Sequence, residues 1–355
     1  MPEADDVLSN ERFREILHWV IATFIVTGKP VGSRGISRCS REQLSPATVR
    51  NIMADLEDMG YLQQPHASAG RVPTDKAYRF YVDYLIKRKV LSQRERNMIE
   101  RDLRIDDSAE HLMAKTSQVL SRISKNVGIV VSPSISRVAL EHIHFTKLAE
   151  NRILVILASR TGMVQNRIIH YDEEILQAEL DQAARYIEEH FKNRTLLEIR
   201  NQILKMVHQE RALYDKFMQQ IITLSARAFS GSENAPDSEV YLDGASNLIK
   251  TPEFSDINKM KLLFETIEQK SRMSTLLSRC IEEEDTKEVR ITIGAENALP
   301  GIEDCALITS RYVVDGKVQG SLGILGPTRM EYARAISLVD YVARLFGRVL
   351  ETGTK

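Results

Sequence analysis

The chain has 355 residues, 43% of them hydrophobic and 27% charged, with a formal net charge of −1. That length suits two or three domains of ordinary size, and that balance is globular rather than disordered or fibrous. Near-neutrality excludes a wholly basic coat for nucleic acid, so any DNA-binding surface must come from local sorting of charge. Cys39, Cys280 and Cys305 lie far apart and form no C-x-x-C, which points to neither a disulfide framework nor a zinc site. The opening MPEADD is acidic without an apolar core, so it does not read as a signal peptide. Apolar runs such as 153–158 are far shorter than the ~20 residues of a membrane span. The expectation is a cytoplasmic chain with no membrane association.

Phe13, Ile16, Leu17, Val20, Ile21 and Phe24 recur at helical spacing and predict a first helix stopped by Gly28 and Pro30. A second, short helix is expected from Gly32-Ser33 to about Arg38, with Ser33 as its cap, followed by a turn at 40–44. Ser45-Pro46 is a strong start for a third helix that ends at Gly60. Its apolar side is Val49, Ile52, Met53 and Leu56. The opposite side carries Ala47, Arg50, Asn51, Ala54 and Asp58. Small alanines permit close approach to another surface. Arginine suits guanine and asparagine suits adenine at base edges, and a recognition helix reads with its N-terminal half. The acids Asp55, Glu57 and Asp58 are held to the far end.

Tyr61 onward predicts a short hairpin with a mobile tip, the wing of a winged helix-turn-helix, with His66 and Arg71 placed for backbone or minor groove. Thr74 then caps a helix containing Tyr78, Phe80, Tyr81, Tyr84 and Leu85. Between Lys29 and Arg79 stand eight basic and five acidic residues, a local excess of +3. The candidate DNA-binding residues are Ser33, Arg34, Ser45, Ala47, Thr48, Arg50, Asn51, His66 and Arg71. The same pattern of three amphipathic helices and a hairpin also serves protein–protein modules.

Further along, a helical stretch is expected from Ser92, with Glu95 as a capping-box partner, to about Lys125. Segments 128–131, 138–145 and 153–158 are β-branched and read as strands, the last joined to 163–169 by a hairpin at 160–162. Segments 289–293, 305–314 and 317–325 are also strand-like, with a two-residue Asp315-Gly316 turn between the last two. A closing helix spans about 330–350. The region 172–286 between these blocks is mostly helical, including 180–191, 196–229 and 257–281, with a polar loop at 230–238 and a short strand at 240–242. Two sheet-forming blocks around a helical stretch suggest one sheet domain with another domain inserted in it.

Residues 8–12 (LSNER), 27–34 (TGKPVGSR) and 44–83 (LSPATVRNIMADLEDMGYLQQPHASAGRVPTDKAYRFYVD) resemble the HrcA family of bacterial heat-inducible transcription repressors. So do 240–249 (VYLDGASNLI) and 320–332 (GSLGILGPTRMEY). The resemblance implies a homodimer on double-stranded DNA, at an inverted-repeat operator called CIRCE upstream of chaperonin and chaperone operons. It also implies that the GroEL chaperonin sustains activity. The expected fold class is α+β: an N-terminal winged helix-turn-helix (1–90), then a GAF-like α/β sheet domain (91–171 and 287–355) interrupted by a mostly helical dimerising insert (172–286). A GAF-like domain leaves open an alternative, a metabolite-sensing regulator, although fold alone does not assign a ligand.

Other sites are set aside. Gly320, Gly323 and Gly326 fit no phosphate-loop pattern and are read as close backbone approaches or a bulge. His142, His144 and His170 lack a completing ligand for a metal. No nucleophile motif is present. The expectation is therefore no enzyme, no cofactor and no metal.

Overall fold

The computed structural model describes residues 10–352, apart from 40–43, 67–68, 88, 105–107, 134–138, 150, 160–161, 193, 197, 200–201, 203–222, 226, 229–237, 250, 283–287, 298 and 315. The expected turn at 40–44, the loop at 230–238 and most of the helix at 196–229 thus fall largely outside the described residues. Helix and sheet are mixed along the chain.

Helix α1 (Glu11–Thr27) starts where the Asn10 side chain accepts the backbone N–H groups of Arg12 and Phe13. It stops at Gly28, whose φ of 62° is left-handed. It buries Ile16, Leu17, Val20 and Ile21, the stripe that the spacing predicts. Helix α2 (Ser33–Ser37) begins one residue earlier in capping terms than expected. Gly32 occupies the cap position and no side chain caps it, so Ser33 is the first helical residue. Helix α3 (Pro46–Asp58) packs on α1 and α2 through Val49, Ile52, Met53 and Leu56. Strands β1 (Leu62–Gln63) and β2 (Val72–Pro73) pair antiparallel, and α4 (Asp75–Phe80), capped by Thr74, runs into a π-helical turn (Tyr81–Leu85).

The stretch expected as one helix after Ser92 is two. Helix α5 (Gln93–Asp102) opens with the Ser92–Glu95 capping box, and α6 (Ala109–Ser124) follows after Leu103 ends the first. Ser108 supplies a fresh N-cap to α6, accepting the His111 N–H, a second start that the apolar pattern conceals. Strand β3 (Val127–Val131) leads to β4 (Leu140–Ala149), β5 (Arg152–Ser159), β6 (Val164–His170) and α7 (Gln177–Phe191). Then come β7 (Val240–Asp243), α8 (Ser246–Ile249), α9 (Ile257–Glu268) and α10 (Lys270–Glu282). The expected helix 257–281 is broken between α9 and α10 at Gln269. Strands β8 (Val289–Ile293), β9 (Cys305–Val314) and β10 (Lys317–Pro327) precede α11 (Tyr332–Thr352).

Two larger sheets result. One has five antiparallel strands in the order β7-β3-β10-β9-β8, and the other is β4-β5-β6. The expectation that both strand blocks share one sheet therefore holds for β3 and β8–β10 and is corrected for β4–β6. Among the described residues those three strands form a sheet of their own, separate from the five-stranded one, and bury Ile143, Phe145, Val155 and Leu157 against α7 in their own apolar cluster. A sequence pattern identifies a strand by its alternation but does not name its hydrogen-bonding partner.

Alternation sorts the five-stranded sheet. Ile129, Val131, Leu307 and Leu325 face α9 and α10, while Val130, Ile308, Leu322 and Ile324 face the core shared with α6, α11 and the N-terminal helices. The glycines expected to mark close approach do so. A Cβ at Gly323 would overlap the Ile308 carbonyl, and one at Gly320 would overlap the Tyr312 hydroxyl, which donates to the Val131 carbonyl at 2.8 Å. The register also slips between Val318 and Gly320. In the 240–249 motif, Gly244 (φ 80°) leaves room for Ser121, and the Asn247 side-chain amide donates to the Asn126 carbonyl at 3.2 Å.

The N-terminal helices are seated on this sheet by specific contacts. Arg79 reaches the Ile291 carbonyl at 2.7 Å and the Glu296 carboxylate. Asp75 accepts the Ala295 N–H at 3.1 Å. Arg329 pairs with Glu253 at 2.5 Å and donates to the Ile25 carbonyl, in the last turn of α1, at 3.0 Å. Among the described residues, no helix is long and apolar enough to cross a membrane.

Candidate nucleic-acid interface

The third helix is set up by its own first residues. Ser45, in extended conformation, accepts the Thr48 N–H at 3.1 Å, and Pro46 occupies the first turn, where its missing N–H costs nothing. The four apolar residues face inward, which leaves Ala47, Arg50, Asn51, Asp55 and Asp58 exposed and Ala54 half-buried. This is the face sorting that the sequence predicts. Ser37 donates to the Leu44 carbonyl at 2.7 Å and ties α2 to the approach of α3.

At 100° per residue the surface of α3 divides further, with the buried Met53 at the edge of the inward side. Ala47, Asn51, Ala54 and Asp58 form the outward row. Arg50, Met53 and Glu57, spaced i, i+3, i+7, form a flank beside it. That flank faces the β1–β2 ribbon. Arg50 and Met53 line a cleft of about 540 Å³ together with Val31, Gly32, Ser33 and Arg34 at the start of α2, and Gln64, Ala69, Gly70 and Arg71 of the ribbon. Arg50 thus stands on a cleft wall, not in the row of Asn51 and the two alanines.

The ribbon is anchored at its base. Val31 and Arg71 exchange two backbone hydrogen bonds, of 2.8 and 2.9 Å, so that the segment before α2 adds a third rung beside β2. Gly70 is required there because a Cβ would overlap the Val31 carbonyl and lie 2.8 Å from the Val31 nitrogen. Toward the tip, the Gln64 side chain donates to the Ala69 carbonyl at 2.9 Å, and the Ala69 N–H donates to the His66 carbonyl at 2.8 Å. His66 itself is exposed beside the tip.

Arg71 departs from the expected free wing cation. Its guanidinium pairs with Glu57 at 2.7 Å, its side chain is only 18% exposed, and its Nε is buried without a hydrogen-bond partner. Arg34 and Arg50 are exposed. Of the nine candidate residues, Ser33, Arg34, Arg50 and Arg71 are brought together around the cleft, Ser45 and Thr48 bond to each other, Ala47 and Asn51 share the outward row, and His66 stands apart at the tip. Sequence reasoning missed Glu57, Met53 and Gln64. The signal for the first two is the i, i+3, i+7 spacing from Arg50, where the sequence reading places Met53 on the apolar side and Glu57 at the acidic far end.

Elsewhere, His142 is exposed and lies 3.3 Å from Glu188. Among the described residues, no cluster of three or more His, Cys, Asp or Glu side chains is arranged to hold a metal. Burial raises the Cys305 thiol well above the ordinary range, with Asp304 and Glu303 adding to the shift.

Residues 110–336 match the family model described as the HrcA protein C terminal domain. The heat-inducible transcription repressor HrcA of Geobacter sulfurreducens is 41% identical over 345 residues, covering 96% of this chain and 98% of that protein. That of Syntrophobacter fumaroxidans is 36% identical over 343 residues, covering 96% and 97%. That of Chelativorans sp. is 35% identical over 356 residues, covering 98% and 99%. A crystal structure of a hypothetical protein shares the fold at a TM-score of 0.58 and 21% identity, over 97% of this chain and 98% of that one. With a family model across most of the chain and such identity along nearly all of it, the chain belongs to the HrcA family of heat-inducible transcription repressors.

Proposed function

We propose that the chain represses chaperonin and chaperone operons as a cytoplasmic homodimer bound to an inverted-repeat operator of the CIRCE type. The N-terminal unit (1–90) is the DNA-binding winged helix-turn-helix, with α3 in the major groove and the β1–β2 ribbon as wing. The observation that carries this reading is the outward row of α3: Asn51 between two small residues, Ala47 and Ala54, behind a serine-capped N-terminus that favours phosphate. Ser33, Arg34, Ser45, Thr48, Arg50, His66 and Arg71 surround that row. Repression is occlusion of a promoter and involves no covalent step.

For the remainder, the five-stranded sheet is the GAF-like unit, and the inserted, dimerising unit includes β4–β6 and α7, which have a core of their own. The insert then begins after β3 and ends before β7. Two copies of α3 held by one dimer match a two-fold operator and combine their affinities. GroEL chaperonin, implied by the family, sustains the folded repressor. A footprint of the purified protein on its own genomic DNA, with and without chaperonin, tests this. Protection of an inverted repeat ahead of chaperone genes, strengthened by chaperonin, is expected. Protection of no inverted repeat overturns the reading, and protection indifferent to chaperonin removes that part of it.

A further inference from the structure

The cleft beside α3 is lined by three arginines: Arg34 from α2, Arg50 from α3 and Arg71 from the foot of β2. The cleft encloses about 540 Å³, enough to admit a phosphate group between them. Among the described residues Arg71 is paired with Glu57, a residue that does not line the cleft. Among the described residues Arg34 and Arg50 form no ion pair. A concavity walled by two cations that form no ion pair among the described residues, with a third held in place by Glu57, is complementary to one anion with several acceptor oxygens. It opens beside the outward row of α3, where a strand of duplex DNA would run if that row lay in the groove.

Building on the DNA-binding reading, we propose that this cleft seats one backbone phosphodiester of the duplex, shared by Arg34, Arg50 and Arg71, and that Glu57 is the positioning residue for Arg71. Arg50 then sets the depth and register of α3 on the backbone, and base discrimination falls to the outward row around Asn51. The Glu57–Arg71 pair holds the third guanidinium against the cleft wall before DNA arrives, so less side-chain freedom is lost on binding. The Val31–Arg71 backbone bridge fixes the same residue from the main-chain side.

The test is fluorescence anisotropy of the full-length protein with a labelled duplex of arbitrary sequence, and with the promoter duplex that a footprint protects, across about 50 to 200 mM salt. R34A and R50A alter exposed side chains and leave the core untouched. Each is expected to weaken arbitrary-duplex binding about tenfold at fixed salt while keeping the promoter-over-arbitrary ratio. Because one phosphate is shared, R34A/R50A should lose less than the product of the single losses. Its log–log salt slope should fall by about 0.9 in total, the value of one phosphate. E57Q should weaken binding in the wild-type background and add nothing to R71A.

The proposal is overturned by R50A that loses the promoter preference but keeps arbitrary-duplex affinity, by a double-variant slope falling by about 1.8, or by unchanged binding in both single variants. Inorganic phosphate at matched ionic strength should leave the melting temperature where chloride does. A phosphate-specific rise that R34A/R50A abolishes would assign the cleft to a small free anion instead. A wild-type chain that binds no duplex at low salt would remove the DNA-binding reading itself, a failure distinct from the others.

Discussion

Replacing Gly70 with alanine tests whether the ribbon is held to the helical unit as described. The added Cβ would overlap the Val31 carbonyl carbon and oxygen and approach the Val31 nitrogen to 2.8 Å. All three are backbone atoms, so no rotamer change relieves the overlap. The two strands must separate instead, which sacrifices the 2.8 and 2.9 Å hydrogen bonds between Val31 and Arg71. At about 0.5–1.5 kcal/mol each, their loss costs about 1–3 kcal/mol. Alanine also lowers the entropy of the unfolded chain, which returns about 0.4–1 kcal/mol. Steric loss therefore wins, by about 1–2 kcal/mol. The same movement carries Arg71 away from Glu57 and from the cleft, so DNA affinity should fall with stability. Urea denaturation gives the first quantity, and hydrogen exchange at the Val31 and Arg71 amides locates it. An unchanged midpoint with both amides still protected would refute the reasoning.

Asn51→Ala should remove about 1–3 kcal/mol of discrimination between the protected promoter and an arbitrary duplex while leaving the salt slope as it was; competition binding reads both, and a changed slope with intact discrimination would move Asn51 to the backbone. Arg329→Met removes the 2.5 Å pair with Glu253 and the hydrogen bond to the Ile25 carbonyl, and leaves a carboxylate that is only 23% exposed without its partner. A loss of about 1–3 kcal/mol is expected, seen as a lower melting temperature and earlier proteolysis near Gly28; indifference of both would mean that the contact does not tie α1 to the sheet domain. Glu95 is held down to about 2 from an ordinary 4.5, chiefly by hydrogen bonds from the Ser92 hydroxyl and backbone N–H and then by Arg334. Its folded value lies below its unfolded one, so its contribution is complete above about pH 4.5 and is lost as pH falls toward 2. Solvent around the pair limits that contribution to about 1 kcal/mol, and Glu95→Gln should flatten the acid limb of the stability profile by that amount.

The sequence carried the N-terminal unit almost in full because each of its elements has a local cause. Ser45 and Thr74 cap helices through their own side chains, Gly28 ends one, and the apolar stripes of α1 and α3 are the buried sides, whereas the Asn10 cap of α1 emerges only from the structure. Where a cause was not local, the reading slipped. Glycine caps α2 with no side chain to signal it. β4–β6 alternate like any half-buried strands, and only the pairing shows that they leave the main sheet. The linear pattern places Arg71 in the wing for backbone or minor groove, and nothing in it reveals that Glu57, fourteen positions earlier, pairs with it. Arg50 and Asn51 are neighbours in sequence but diverge by about 100° around α3, which sends one to the cleft and the other outward.

Cleavage of DNA by an iron chelate tethered to α3 tests the central claim most directly. Ala47→Cys places the tether in the outward row, Cys39→Ser and Cys280→Ser remove two native thiols, and the buried Cys305, its thiol raised by burial, stays unlabelled. The account predicts two clusters of cuts across the major groove, one in each half of an inverted repeat and symmetric about its centre. Cutting no stronger than that from a tether at Val164→Cys on β6, or a single cluster without a symmetric partner, would contradict it.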